Sequence, residues 1–225
     1  MDLFANQQAK VQEIIKDAYL LKALALANQT QLLADLSQVI EAAAFRHMIT
    51  PGGFIMSVAM TNCGTYGWVT DRKGYRYTMH DPISHQPWPA MPASFKQLAQ
   101  LAATEAGFKH FVPDACLINQ YKIGARMTLH QDKNEQDFSQ PIVSVSLGLP
   151  AIFQLGGFER ADKVIKILLQ HGDIVVWGGS SRLRFHGILP VKVSQNIGLD
   201  AEPKIANSDY LQQFRVNLTF RQAAK

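Results

Sequence analysis

The sequence predicts a mostly β protein of the α+β class: a jelly roll or sandwich flanked by helices. Two observations carry this. From Asp114 onward, short runs of Val, Ile, Leu and aromatic residues are separated by turn signals at Gly124, Gly148, Gly156-Gly157, Gly172-Asp173 and Gly178-Gly179. Many short strands with regular turns are the pattern of a sandwich or closed antiparallel architecture. Before Asp114, apolar residues recur at helical spacing in two separate segments.

Taken in order, the first 45 residues read as an N-terminal extension followed by a helix. Residues 18–26 are apolar and fit a strand or a helix equally well. Residues 30–44 read as an amphipathic helix, with Leu32, Leu33, Leu36, Val39, Ile40 and Ala43 on one face and Asn28 or Thr30 as the cap. Residues 50–92 are rich in Gly, Pro, Met and aromatics, with turns at Pro51-Gly52-Gly53, Lys73-Gly74 and Asp81-Pro82. That stretch reads as hairpins and loops that could cover a site. Residues 94–106 form a second helix, with Pro92 before it and Gly107 in the stop position. Strands follow at 115–121, 142–147, 151–155, 164–169, 174–177 and 213–221, and the polar span 191–211, with Pro203, reads as a long hairpin loop.

The 225 residues are 47% hydrophobic and need no covalent staple. One domain is expected over 1–225: the extension and helix, a lid at 50–92 and a β core at 114–225. No apolar run is long enough to span a bilayer, and the first residues lack the pattern of a signal peptide. Cys63 and Cys116 are too few for a disulfide framework, so a reducing, cytoplasmic setting is expected. The formal charge of +4 and a pI near 9.1 are compatible with nucleic acid without pointing to it. Asn217-Leu218-Thr219 matches a glycosylation sequon, but its setting inside a strand pattern makes that match idle.

The segment Phe214-Arg215-Val216-Asn217-Leu218-Thr219-Phe220-Arg221 carries most of the chemistry. On a strand, Val216, Leu218 and Phe220 take one face and Arg215, Asn217, Thr219 and Arg221 the other. Two arginines on one face suit a small carboxylate, which a guanidinium grips with two parallel hydrogen bonds. Asn119 and Tyr121 share a face of an earlier strand and offer an amide and a phenol to the same ligand. His130 and Asp132 are two apart, so both point to one side of an extended segment; His186 follows 54 residues after Asp132. Two histidines and one carboxylate form the face that holds non-haem Fe(II), leaving positions open for a 2-oxo acid and O2. Zinc is the rival metal, but it favours four ligands, and no fourth is evident. A metal triad with a carboxylate clamp points to an oxygenase that consumes a 2-oxo acid.

Several motifs, in order, then resemble the bacterial AlkB dioxygenases. They are Asn119-Gln120-Tyr121, His130-Gln131-Asp132-Lys133, Ser144-Val145-Ser146-Leu147-Gly148, Trp177-Gly178-Gly179, Arg182, His186-Gly187 and Arg215-x-Asn217-x-Thr219-Phe220-Arg221. Pro51-Gly52-Gly53 and the run from Met56 to Gly64 are similar to that family's substrate lid. The resemblance runs from about Phe45 to the C-terminus. It implies a double-stranded β-helix core with N-terminal helices and a nucleotide-recognition lid. It implies Fe(II) held by His130, Asp132 and His186, and 2-oxoglutarate held by Asn119, Tyr121, Arg215, Asn217 and Arg221, with O2 as co-reactant. Trp68, Tyr75, Tyr77 and Arg160 match residues near the substrate. The implied activity is repair of 1-methyladenine and 3-methylcytosine in DNA, with RNA as a further substrate, releasing formaldehyde, succinate and CO2. The partner would be single-stranded DNA or a duplex with the damaged base flipped out, and the enzyme a monomer.

Two departures stand out. The family often carries an acidic residue two places after the iron aspartate; here it is Asn134, which can hydrogen-bond a base's amino edge but adds no charge. The expected result is a weaker preference for cationic over neutral lesions. The 191–211 span is also longer than the family pattern, as a surface insertion would be. Three other readings stay open on the residues alone: a 2-oxoglutarate oxygenase acting on RNA, protein or a small molecule; a jelly-roll binding module without catalysis; and a zinc hydrolase.

Overall fold

The computed structural model describes residues 10–192 and 209–224. Among them the strands, in chain order, are Lys10–Ile15 (β1), Ala18–Lys22 (β2), Arg46–Ile49 (β3), Ile55–Gly64 (β4), Gly67–Asp71 (β5), Gly74–Thr78 (β6) and Ala115–Tyr121 (β7). They continue with Met127–His130 (β8), Ile142–Gly148 (β9), Ala151–Leu155 (β10), Ile165–Leu169 (β11), Ile174–Trp177 (β12), His186–Ile188 (β13) and Arg215–Arg221 (β14). The helices are Gln29–Ala42 (α1), Ala93–Glu105 (α2) and Asp209–Gln213 (α3). None is long and apolar enough to cross a membrane.

An eight-stranded sheet runs β1-β2-β12-β9-β14-β7-β4-β3, and a four-stranded sheet runs β11-β10-β13-β8. The hairpin β5–β6 stands apart from both. Two apolar clusters flank the large sheet. One joins Ile118, Val145, Val216, Leu218 and Phe220 to Leu32, Leu36, Phe95 and Leu98 of the two long helices. The other joins Leu117, Tyr121, Val175 and Trp177 to Phe153, Leu155 and Ile188 of the small sheet. The site lies in this second layer, between the sheets.

The alternation read from β14 is what builds both layers. Phe220 meets Phe95 edge-on, with ring centroids 6.1 Å apart, and burying each ring contributes about 1.5–3 kcal/mol. The alternate residues Arg215, Asn217, Thr219 and Arg221 are also buried, but toward the small sheet. As the central strand, β14 sets Asn217 opposite both Asn119 and Ser146, and Arg215 opposite Tyr121 and Gly148. Gly148 turns the chain at φ +77°, where a Cβ would lie 2.2 Å from the Phe214 carbonyl oxygen. Only glycine fits that close approach.

Several expectations need correction. Residues 10–22 are not an extension: β1 and β2 form one edge of the large sheet, and β2 pairs with β12. Lys22 Nζ donates to Asp173 Oδ2 at 2.6 Å and Ala23 N to Asp173 Oδ1 at 3.0 Å, tying that edge down. The ambiguous stretch 18–26 divides into β2 and a 3-10 turn at Leu24–Asn28. Asn28 precedes α1 but makes no capping bond. The stretch expected to form a lid contributes β4 to the large sheet, where it pairs with β7. The last strand starts at Arg215, since Gln213 ends α3 in a region expected to be all-β. Most of the 191–211 loop, residues 193–208, lies outside the described residues.

Candidate active site

The small sheet assembles the metal-ligating residues. β13 pairs with β8 so that His186 sits directly opposite His130, and Asp132 follows His130 by two. A Cβ at Gly187 would lie 2.7 Å from the Met127 carbonyl oxygen, so glycine is what lets these two short strands close. One ligand atom from each of His130, Asp132 and His186 lies within 4.8 Å of the others. His130 Nε2 is 3.6 Å from Asp132 Oδ1, and His186 Nε2 is 3.6 Å from Asp132 Oδ2.

Both imidazoles are oriented from behind. His130 Nδ1 faces the Thr128 carbonyl at 2.9 Å and His186 Nδ1 the Arg184 carbonyl at 3.1 Å. With the proton placed on Nδ1, each Nε2 lone pair faces the centre, as metal-binding histidines require. Trp177 packs 4.8 Å from the His186 ring and Phe153 6.2 Å from it, forming an apolar wall. Burial, and then the neighbouring His186, push the His130 pKa down, which favours the neutral ring. Burial alone would raise the Asp132 carboxyl, but Arg221 and then the two histidines outweigh it and hold the group well below the usual carboxylate range. Arg221 donates from Nε and Nη2 to Asp132 Oδ2 at 2.9 and 2.5 Å, so the carboxylate is ionised and fixed in place.

Above the triad lies the polar face of β14. Arg215 is 0% exposed. Its Nη2 donates to Ser146 Oγ at 2.9 Å and its Nη1 reaches the Leu149 carbonyl at 3.5 Å, while Nε has no partner among the described residues. No carboxylate of the described residues pairs with it. Burial draws its pKa down to about 10, against the pull of Tyr121 and Asp173, so it stays cationic at neutral pH. An unpaired buried cation is costly. An anion is the missing partner. Asn119 Oδ1 is likewise buried without a partner among the described residues, whereas Asn217 Nδ2 is held by Ser144 Oγ and the Val145 carbonyl. Burial raises the Tyr121 pKa to about 12, so its phenol keeps its proton. The cleft beneath is lined by Asn119, Tyr121, His130, His186, Asn217 and Arg221. The donor set fits a metal-chelating dicarboxylate.

The residues expected near a substrate are placed differently from one another. Trp68 and Tyr75 stack with centroids 5.6 Å apart and planes 20° apart, and Tyr75 is exposed. Trp68 Nε1 donates to Asn134 Oδ1 at 3.2 Å. Arg160 lies on the surface over the Phe185 ring and donates to the Leu129 carbonyl beside His130. The Tyr77 hydroxyl is turned inward, donating to Glu135 Oε1 at 2.6 Å. Burial, with Glu135 and Asp132 adding to it, raises its pKa well above 10 despite Arg221.

Sequence reasoning gave no role to Glu135. It is buried and accepts from Arg182 Nη2 at 3.0 Å, while Arg182 Nη1 donates to the Asp132 carbonyl at 2.8 Å. Its position in a hydrophilic run marks it as a surface acid; only the distant arginine reveals otherwise. A larger open cleft of about 410 Å³, lined by His80, Trp88, Lys96 and Asp114 among others, includes none of the triad.

An antiparallel two-sheet fold with a His-Asp-His face and an unpaired buried arginine defines an iron- and 2-oxo-acid-dependent oxygenase. The model of the 2OG-Fe(II) oxygenase superfamily matches residues 17–221. The chain is 51% identical to the alpha-ketoglutarate-dependent dioxygenase AlkB of Escherichia coli K12 over 226 residues, covering 100% of this chain and 99% of that protein. It is 30% identical to the mouse nucleic acid dioxygenase ALKBH1 over 178 residues, covering 69% of this chain and 45% of that one. The solved structure of OsALKBH1 superposes with a TM-score of 0.76 at 26% identity, over 94% of this chain and 99% of that chain. The chain belongs to the AlkB family of 2OG-Fe(II) oxygenases, and it is a dioxygenase dependent on Fe(II), 2-oxoglutarate and O2.

Proposed function

We propose that the protein oxidatively demethylates N-alkylated bases, 1-methyladenine and 3-methylcytosine among them, in DNA and RNA. The observation that carries the reading is the stacked pair Trp68–Tyr75, held beside the metal loop through Asn134. A flat aromatic face suits any nucleobase, and it attracts a cationic methylated base further. The relatives' names support nucleic acid as the partner class: mouse ALKBH1 is a nucleic acid dioxygenase.

In this reading His130, Asp132 and His186 hold the iron, with Asp132 fixed by Arg221. Arg215 neutralises the far carboxylate of 2-oxoglutarate, and Asn119 and Tyr121 complete its hydrogen bonds. Asn217 and Thr219 position these groups from the central strand. The iron, when bound, supplies activation of O2 for hydroxylation of the methyl carbon. The apolar wall of Trp177 and Phe153 keeps water from the reacting centre. A methyl group on a Watson–Crick nitrogen is hidden within a duplex, so the base must be unpaired or flipped out to reach Trp68. Arg160 stands at the rim, where it can meet the substrate strand. The chain acts as one catalytic domain and as a monomer, and its buried free thiols Cys63 and Cys116 suit the cytoplasm.

The test is formaldehyde release from a single-stranded 3-methylcytosine oligonucleotide with Fe(II), 2-oxoglutarate and ascorbate, beside a His130→Ala control. Release that needs every component and vanishes in the variant is the expected result. Succinate without formaldehyde would discard this substrate class and leave another oxygenase substrate in its place.

A further inference from the structure

Trp68 lies opposite Tyr77 in the β5–β6 ladder. With Tyr75 two positions from Tyr77, the three aromatic side chains share one face of the hairpin. That face meets the loop just after Asp132, at two consecutive residues. Trp68 Nε1 donates to the exposed Asn134, and the Tyr77 hydroxyl to the buried Glu135. Glu135 continues the chain inward. Its Oε1 lies 3.4 Å from Arg221 Nε and its Oε2 3.0 Å from Arg182 Nη2. Both arginines end on Asp132: Arg221 on its carboxylate, Arg182 on its backbone carbonyl. A phenol, a carboxylate and two guanidiniums thus connect the stacking face of the hairpin with the metal-holding carboxylate.

We propose that Glu135 is a positioning residue that latches the β5–β6 hairpin to Asp132 through Arg221 and Arg182, so that the hairpin, when in place, keeps the metal-holding carboxylate oriented. The inference rests on the reading of that hairpin as the base-stacking face. With Tyr77 engaged, its hydroxyl takes up part of the Glu135 charge. With Tyr77 withdrawn, Glu135 turns that charge to Arg221 and competes with Asp132 for the same guanidinium. Asp132 is then held less firmly, and 2-oxoglutarate is consumed without demethylation. The closed latch keeps Asp132 on Arg221 while the hairpin is in place.

Tyr77→Phe removes the hydroxyl and keeps the ring. In the Fe(II)-reconstituted enzyme acting on a 3-methylcytosine oligonucleotide, the succinate formed per formaldehyde should rise by about tenfold, the scale of one lost hydrogen bond to a charged acceptor. Hydrogen exchange on the anaerobic holoenzyme should show the β5–β6 amides opening by a similar factor, about tenfold, while β7 and β14 amides are unchanged. Glu135→Gln keeps an acceptor for the phenol and loses the charge that competes for Arg221; it should retain hairpin protection and leave the succinate ratio near that of wild type. An unchanged ratio in Tyr77→Phe overturns the inference, as does faster exchange spread evenly over the large sheet. If the wild-type enzyme releases no formaldehyde, the demethylase reading falls by itself. Exchange then decides the latch: opening confined to β5–β6 supports it, and unchanged exchange overturns it.

Discussion

Replacing Arg215 by methionine separates a ligand clamp from a structural arginine, because the two roles predict opposite outcomes. The guanidinium is fully buried, has one close bond, to Ser146 Oγ at 2.9 Å, and has no carboxylate partner among the described residues. If it binds the far carboxylate of 2-oxoglutarate, two parallel charge-assisted hydrogen bonds are lost in the variant, each contributing about 1.5–3 kcal/mol. The lower figure sums to about 3 kcal/mol, or about 150-fold in affinity. Without ligand, the variant loses the Ser146 bond, about 1 kcal/mol, and is relieved of a desolvated unpaired cation, which offsets it. The Arg215→Met protein should therefore keep its melting temperature while its KM for 2-oxoglutarate rises at least about 100-fold. Succinate formation against 2-oxoglutarate concentration, beside thermal melts of the metal-free protein, measures both. A KM within about threefold of wild type, joined to a lower melting temperature, would refute the clamp and make Arg215 part of the scaffold.

Trp68→Ala should raise the KM for a 3-methylcytosine oligonucleotide by about 5- to 150-fold, the worth of one stacked base, with the 2-oxoglutarate KM unmoved; steady-state kinetics in each substrate check it. Asn134→Asp keeps the acceptor for Trp68 Nε1 and adds a charge, so turnover of 1-methyladenine relative to 1-methylguanine should rise by about fivefold, the scale of one exposed ion pair; an unchanged ratio counts against the amide's assigned effect on lesion choice. His171 gives a pH dependence. Its Nδ1 accepts from the Gly148 N–H at 2.9 Å and its Nε2 faces Gln29 Oε1 at 2.7 Å, so the folded state holds the neutral ring, and burial lowers its pKa below the ordinary 6.5 against Asp173. Below that value the unfolded chain binds the extra proton, so the stability is present above about 6.5 and is lost as pH falls toward the folded pKa. The melting temperature of wild type should thus exceed that of His171→Asn at pH 7 by a margin that narrows toward pH 5.

What could be read in the sequence was whatever one strand or helix carries by itself. β14 and β7 each hold two chemically different faces within seven residues, and their alternation marks directly which side chains face the small sheet. α1 and α2 each show a full apolar stripe. β13 and β8 have only three and four residues, too few for a period to emerge. β1 and β2 escaped for a different reason. β2 is held by β12, with Ala18 opposite Trp177, and a pairing over that separation leaves no local mark. The same limit applied to the site. His130 and Asp132 were visible as a spaced pair, but the placing of His186 depends on the β8–β13 register. Glu135 sits in a hydrophilic run and is buried only because Arg182 and Arg221 arrive from elsewhere in the chain.

The polar stripe on β14 also explains why the inner layer is not apolar throughout. A central strand flanked on both sides is the place where valine or leucine would contribute most, as Val216, Leu218 and Phe220 do on the opposite face. Arg215, Asn217, Thr219 and Arg221 give up that contribution at four alternate positions and carry the desolvation cost of two cations. Arg221 recovers part of it from Asp132 and Glu135, but Arg215 recovers little from within the described protein. A core that forgoes apolar packing at its best-covered strand, and leaves one of that strand's two cations without a carboxylate among the described residues, fits a ligand's needs better than those of stability. In the proposed reading the dicarboxylate that the family consumes supplies the missing charge, so 2-oxoglutarate binding should stabilise the folded chain as well as feed its chemistry.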